Sequence, residues 1–255
     1  MRHISISLIL TAICIFCIQS CKTEICTGVL NTSATYPLSD KSDAGLELKI
    51  DVEYIISGPG AAAVRNINST IICSLFGDQY EGMDIHDAAS AYSAETSAEY
   101  LSANRPLLED SLFSSSPAAV LSWSDWTRGT VSGTHGNILS YTVTKYTYTG
   151  GAHGMTSETT LNFNTDNGSL IGETELFQAG YEERLSSLLS LHLPEALQEP
   201  GDTAMLFTKD IRPNGNFRVS ETGITYIYNQ YEIGPYVLGA VEVTIPWSEL
   251  KDLLR

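Results

Sequence analysis

Ile138-Leu139-Ser140-Tyr141-Thr142-Val143-Thr144-Lys145-Tyr146-Thr147-Tyr148 leads into Thr149-Gly150-Gly151-Ala152-His153-Gly154 and leaves through Met155 to Phe163. The flanks read as strands, rich in β-branched and aromatic residues, and the centre holds three glycines within five residues around one histidine. Glycine takes positive φ without steric penalty and lets another backbone or a ligand come close. The segment therefore joins a strand to its returning partner through an unusual backbone path, with His153 as its one chemically versatile side chain.

Downstream, Asp166-Asn167-Gly168-Ser169 supplies turn chemistry, and Tyr181, Leu185, Leu188, Leu189 and His192 share one helical face that Pro194 ends. Phe217 and Val219, a turn at Glu221-Thr222-Gly223, and Ile224, Tyr226 and Tyr228 predict a hairpin. Val237 to Ile245 reads as a last strand and Trp247 to Leu254 as a closing helix. Upstream, Leu46, Leu48, Ile50, Val52 and Tyr54 alternate with Glu47, Lys49, Asp51 and Glu53, a half-buried strand. Val64, Ile67, Ile71 and Leu75 follow at helical spacing with Gly77 as the stop, and Asp84 is placed to cap a second helix. Ser111 to Ser116 reads as a loop. Hairpins interspersed with a few helices predict an α+β fold of mostly antiparallel sheets in two adjoining subdomains, residues 45–170 and 171–255.

The N-terminus has a different character. Arg2 and His3 precede an apolar run from Ile4 to Ile18, short for a membrane-spanning helix and suited to an export signal over residues 1–20. Ile18-Gln19-Ser20-Cys21 resembles the lipobox of bacterial lipoproteins, which implies acylation of Cys21 and anchoring to a membrane through lipid. Residues 21–44, rich in Thr, Ser, Asp and Gly, read as a flexible tether. Export permits a disulfide between Cys26 and Cys73, but one lies in that tether and the other on an apolar helix face, which favours two thiols.

The formal charge is −16 and becomes one unit more negative when Arg2 leaves with the signal. That balance argues against nucleic acid as a partner and accelerates encounter with cationic ones.

The order of elements carries a resemblance. Asn66-Ile67-Asn68, Asn137-Ile138-Leu139-Ser140, Tyr148 to Gly154, Leu176-Phe177, Asn216-Phe217, Tyr236-Val237-Leu238-Gly239 and Ile245-Pro246-Trp247-Ser248-Glu249-Leu250 follow one another as in the RsiV-like extracytoplasmic module. That module is a pair of adjoining domains of unknown function, also found ahead of the deacetylase domain in PdaC-type proteins. The resemblance covers residues 45–254. It implies an envelope location facing the periplasm or exterior, and a ligand such as lysozyme, which RsiV-like anti-sigma factors bind. It assigns no chemistry.

Candidate binding residues are Tyr148, Gly150, Gly151, His153 and Gly154 in the motif, with Tyr231 and Tyr236 from the C-terminal sheet. His153 either bonds a ligand and switches charge near neutral pH, or fixes the loop through a backbone carbonyl. The tyrosines either form a platform for sugar or protein or pack half-buried on the sheet. Glu173/Glu175 and Glu182/Glu183 have the chemistry of an acid–base pair, but their adjacency suits a solvated helix start. No nucleophile elbow and no His-Glu-x-x-His helix is present, and no cofactor or metal is expected. The expected function is non-enzymatic: an envelope lipoprotein that binds a basic lysozyme-like protein or peptidoglycan. The alternatives are an enzyme acting on wall polysaccharide and an envelope scaffold.

Overall fold

Two hydrophobic cores organise the chain, one drawn from Ile25 to Phe163 and the other from Phe177 to Leu253. The computed structural model describes residues 16–20, 23–40, 42–109 and 118–255. The first core lies under a six-stranded sheet of β1 Phe16–Ser20, β2 Thr23–Pro37, β3 Gly45–Ser57, β4 Trp123–His135, β5 Ile138–Tyr148 and β6 Met155–Asn164, paired in that order. All neighbours are antiparallel except β3 and β4. Between those two the chain crosses over through α1 Ala61–Phe76 and α2 Ile85–Asn104, and a parallel pair requires such a long connection. The second core lies against β7 Phe217–Val219, β8 Gly223–Tyr228 and β9 Val241–Pro246, with α4 Glu182–His192 packed on β9. The fold is thus α+β with two sheets.

The alternation on β3 holds: Leu46, Leu48, Ile50 and Val52 are buried, while Glu47, Lys49 and Asp51 point the other way. Both helix signals hold as well. Gly77 follows α1 at φ 118°, and the Asp84 carboxylate accepts from the His86 N–H at 2.8 Å. Two elements differ. Residues 23–37, expected as tether, form the 15-residue strand β2 with Ile25, Thr27 and Leu30 buried. Threonine-rich sequence is compatible with tether or strand, and pairing to β3 along most of its length decides between them. Residues 16–20, assigned to the signal, pair with the start of β2, whereas the rest of the signal, Cys21 and the 111–116 loop lie outside the described residues. The expected last strand from Val237 is instead a 3-10 turn at Tyr236–Leu238, broken by Gly239 at φ 68° before β9 begins. Cys73 carries a free thiol whose ionisation is pushed up by burial and then by Glu81 and Asp78.

The two subdomains are joined by side chains that stand in for backbone. On the outer edge of β6, Gln230 Oε1 accepts from the Thr156 N–H at 3.1 Å, Asn229 Oδ1 from Glu158 at 2.7 Å and Asn216 Oδ1 from Thr160 at 2.8 Å. The amides of Asn216 and Asn229 each donate back to the Glu158 carbonyl at 2.9 Å. The debt is reciprocal at β7. Asn162 donates to the Phe217 carbonyl at 2.7 Å, the Val219 N–H donates to the Ser140 hydroxyl at 2.7 Å, and that hydroxyl lies 2.9 Å from the Val219 carbonyl oxygen. The approach is close enough that a Cβ on Gly133, beside the β4 bulge, would sit 2.2 Å from the Val219 oxygen.

Asn216→Ala removes the partner of the Thr160 N–H and one of the two donors to the Glu158 carbonyl, and a buried group left unpaired costs about 1–3 kcal/mol. The variant should lose about 1–3 kcal/mol in urea unfolding. A loss below about 0.5 kcal/mol, the scale of an ordinary surface change, would show that the amide does not hold the junction.

Candidate functional site

The motif loop is built by its glycines. Gly150 and Gly151 hold φ at 89° and 111°, a region that L side chains avoid, and a Cβ on Gly150 would lie 2.5 Å from the Val120 carbonyl oxygen. The Tyr148 phenol reaches the Gly151 carbonyl at 3.1 Å and the Ala119 carbonyl at 3.3 Å, tying the loop to the turn before β4. Tyr148, Gly150 and Gly151 therefore shape the loop.

His153, at the tip, is exposed. Its Nδ1 lies 3.0 Å from the Gly154 carbonyl, so in the tautomer that donates there Nε2 is an acceptor. The imidazole stacks on Tyr236 of the C-terminal subdomain, with centroids 3.9 Å apart and planes 28° apart, and Tyr231 follows at 6.1 Å from Tyr236. The expected loop contact is present, and the ring still presents an edge to solvent.

Tyr231 is 48% exposed and is the one positive-φ residue other than glycine among those described, at 69°. Such a backbone is costly for an aromatic residue and persists only when its surroundings hold it. The hold comes from its neighbours, since Gln230 and Asn229 are both bonded to β6. The clamp that joins the subdomains therefore also presents Tyr231.

On the other side of the loop lie further rings. A Cβ on Gly154 would come within 2.5 Å of the Tyr146 ring, so that ring lies directly over the glycine. Tyr146 pairs across the sheet with Trp126, ring centroids 4.7 Å apart, and the Lys49 ammonium stands 4.3 Å over the indole. Trp126 and Tyr146 on the open face of the first sheet, and His153, Tyr236 and Tyr231 at the junction, thus form two groups of rings on either side of Gly154. Within them much ring-face area is spent on neighbouring rings, so edges, phenol hydroxyls and the imidazole are what remain for a ligand. Trp126 was not legible as a member: Trp123 and Trp126 lie on opposite faces of β4, and only its register with β3 and β5 tells which face is open.

The other histidines among the described residues do not converge on this place. His135 stacks on Trp247, His192 lies 3.2 Å from Glu249, and His86 meets Tyr54 edge-on. No group of three metal-ligating side chains occurs among the described residues. The acidic pairs resolve individually. Glu175 accepts from the Gly172 N–H at the start of α3 Glu173–Leu176, which with the Thr174 hydroxyl holds its carboxyl below the usual range. Glu173, expected in solvent, instead accepts from the Tyr181 phenol at 2.8 Å, the Tyr226 phenol at 2.9 Å and the Gly215 N–H at 3.0 Å. It is a structural hub, recruited by tyrosines far from it in sequence.

Comparison with known proteins agrees with this architecture. Residues 174–248 match the family described as a protein of unknown function, DUF3298, and residues 48–156 match the family described as deacetylase PdaC. The chain carries the two as a pair, a PdaC-type two-domain module. It is 28% identical over 116 residues to the peptidoglycan-N-acetylmuramic acid deacetylase PdaC of Bacillus subtilis, covering 44% of this chain and 25% of that protein. It therefore spans a quarter of that relative's length. A crystal structure of a DUF3298 family member from Bacteroides fragilis superposes with a TM-score of 0.82 at 26% identity, over 91% of this chain and 94% of that one. A second, from Pseudomonas aeruginosa, shares the fold at 17% identity with a TM-score of 0.62, over 90% and 94%. No helix among the described residues is long and apolar enough to cross a membrane.

Two outcomes follow from the geometry. Gly154→Ala should displace the Tyr146 ring and change the near-ultraviolet circular dichroism of the Trp126–Tyr146 pair while the far-ultraviolet spectrum is kept. An unchanged near-ultraviolet spectrum would contradict the close ring contact. Burial, and secondarily Glu173, pushes the Tyr181 phenol up to about 12, and Tyr226 is raised further by the same causes. An unfolded tyrosine ionises near ~10, so this stabilisation is complete below that pH and is lost as pH rises toward ~12. The midpoint of thermal unfolding should hold steady from about pH 8 to 9 and fall above about pH 10. A decline complete by about pH 9 would assign the alkaline limit to other groups.

Proposed function

We propose that this protein is an envelope-facing binding module that holds wall glycan on the ring surface at the junction of its subdomains, without performing chemistry on it. The observation that carries the reading is the cluster of exposed His153 stacked on half-buried Tyr236, with exposed Tyr231 tilted against it, built by both subdomains, Tyr231 being held at positive φ by the clamp on β6. A sugar chain offers hydroxyls for the ring edges and phenols and C–H faces for the most exposed ring, Tyr231. The Bacillus relative is named for an activity on peptidoglycan, which supports a wall polymer as the ligand class. The apolar run before Cys21 supports export and a lipid anchor at that cysteine.

Purified protein should sediment with insoluble peptidoglycan sacculi. Tyr231→Ala combined with Tyr236→Ala should weaken retention by about 10-fold or more, the scale of losing central aromatic contacts. Retention unchanged in the double variant would move the site elsewhere. Release of acetate or reducing ends from sacculi above a no-protein control would replace binding with catalysis.

The net charge of −16 favours a second ligand, a basic protein of the lysozyme kind. Titration with lysozyme at low and moderate salt separates the two. Salt-sensitive binding to lysozyme with no retention on sacculi would make the protein ligand the primary one.

A further inference from the structure

On the opposite face of the first sheet, where α2 crosses the start of β4, lies a cavity of about 290 Å³ at the small end of ligand pockets. Its wall includes three aromatic residues, Tyr80, Tyr92 and Trp123, and three carboxylates, Glu95, Glu99 and Asp125. None of its lining residues is a lysine or arginine. The rings are fixed from behind: Tyr80 and Tyr92 meet at 6.3 Å nearly perpendicular, Phe76 backs Tyr92 at 5.1 Å, and Tyr100 backs Trp123 at 5.5 Å.

The carboxylates are positioned by the same rings. The Tyr80 phenol donates to Glu95 Oε2 at 2.5 Å and the Tyr92 phenol to Asp125 Oδ2 at 2.7 Å. Each bond orients a carboxylate and leaves its second oxygen, Oε1 of Glu95 and Oδ1 of Asp125, without a hydrogen-bond partner among the described residues. Glu99, one turn further along α2, has no hydrogen-bond or ion-pair partner among them. Two residues on from Asp125 and on the same face of β4, the buried Thr127 sets its hydroxyl beside the Tyr92 phenol, behind the cavity wall. Lys145, on β5, acts on Asp125 from outside the lining. Burial followed by the Asp125 charge raises the Tyr92 phenol, so it stays a proton donor at neutral pH.

Asp125 is thus partly balanced by Lys145, while Glu95 and Glu99 face no cation among the described residues, and aromatic faces beside such an acidic excess recognise one ligand chemistry above others: a cation with carbon substituents. We propose that this cavity is a receptor site for an organic ammonium group, with Glu95 and Asp125 taking its charge and Tyr80, Tyr92 and Trp123 covering its carbon-bound faces. An amino sugar with a free amine and a choline-type headgroup share that chemistry. The site lies on the other side of β4 from the ring surface at the junction and does not rest on the glycan reading.

Isothermal titration of the purified protein with glucosamine, choline and N-acetylglucosamine tests it. At least one ammonium probe should bind about 10-fold or more tightly than the neutral N-acetylglucosamine, and Glu95→Gln and Asp125→Asn should each weaken it by about 5- to 10-fold. Preference for glucosamine identifies an amino sugar, and preference for choline a quaternary headgroup. Equal binding of N-acetylglucosamine, no heat from either cation at tens of millimolar, or unchanged affinity in both variants overturns the proposal. Circular dichroism verifies that the variants fold. If either does not, Glu99→Gln, an exposed carboxylate at the same cavity, gives the charge test in its place. Asp125→Asn should retain sacculus sedimentation, which keeps failure here distinct from failure of the glycan reading.

Discussion

The unsatisfied edge of β6 is the constraint around which the two subdomains are arranged. An edge strand presents a row of backbone donors and acceptors that must meet water, another strand or side chains. Here the C-terminal subdomain supplies Asn216, Asn229 and Gln230, whose amides carry both a donor and an acceptor and so imitate a paired strand. The N-terminal subdomain answers with Ser140 and Asn162 on the edge of β7. Within the first subdomain, Asn68 of α1 does the same for both backbone groups of Ile55 on β3. Satisfying an edge with amide side chains demands exact placement of the partner, because each such bond weakens steeply with distance and angle. It also blocks strand addition along the edge that faces the junction.

That placement reaches the candidate surface directly. Gln230 and Asn229 are bonded to β6, Tyr231 follows them in a backbone conformation that costs energy, and Tyr236 completes the same loop under His153. Strain at Tyr231 persists because the clamp over-determines the loop. A surface contributed by both subdomains is sensitive to their relative position, so the clamp and the ring cluster are one mechanical unit. The acidic-aromatic cavity on the far face belongs to the first subdomain alone, held by α2 against β4.

How much of this was legible depends on whether a signal is local. The alternation in β3, the helix stop at Gly77, the Asp84 cap and the β7–β8 hairpin follow from residues within a few positions of one another. The tether reading does not hold over residues 23–37, because Thr23 to Pro37 has no apolar periodicity strong enough to announce a strand, and long-range pairing with β3 makes it one. The last strand was placed too early because Tyr236-Val237-Leu238 has strand composition, while Gly239 turns the chain before β9. Of the candidate residues, His153, Gly154, Tyr231 and Tyr236 come together, and Tyr148, Gly150 and Gly151 turn out to shape the loop that brings His153 there. Trp126 and the Glu173 hub were invisible, the first because its face depends on register and the second because its partners lie across the subdomain.

The sequence by itself determined the α+β class, most of the helices and strands, the glycine–histidine loop as a special backbone path, and the acidic balance, since each rests on composition or spacing within one element. Only the tertiary structure decided which tyrosines share a surface, which carboxylates act as structural acceptors, and where carboxylates and rings line a cavity. The reason is physical: the side chains that matter at the junction bond to backbone groups some 50 to 80 residues away, where no local pattern points.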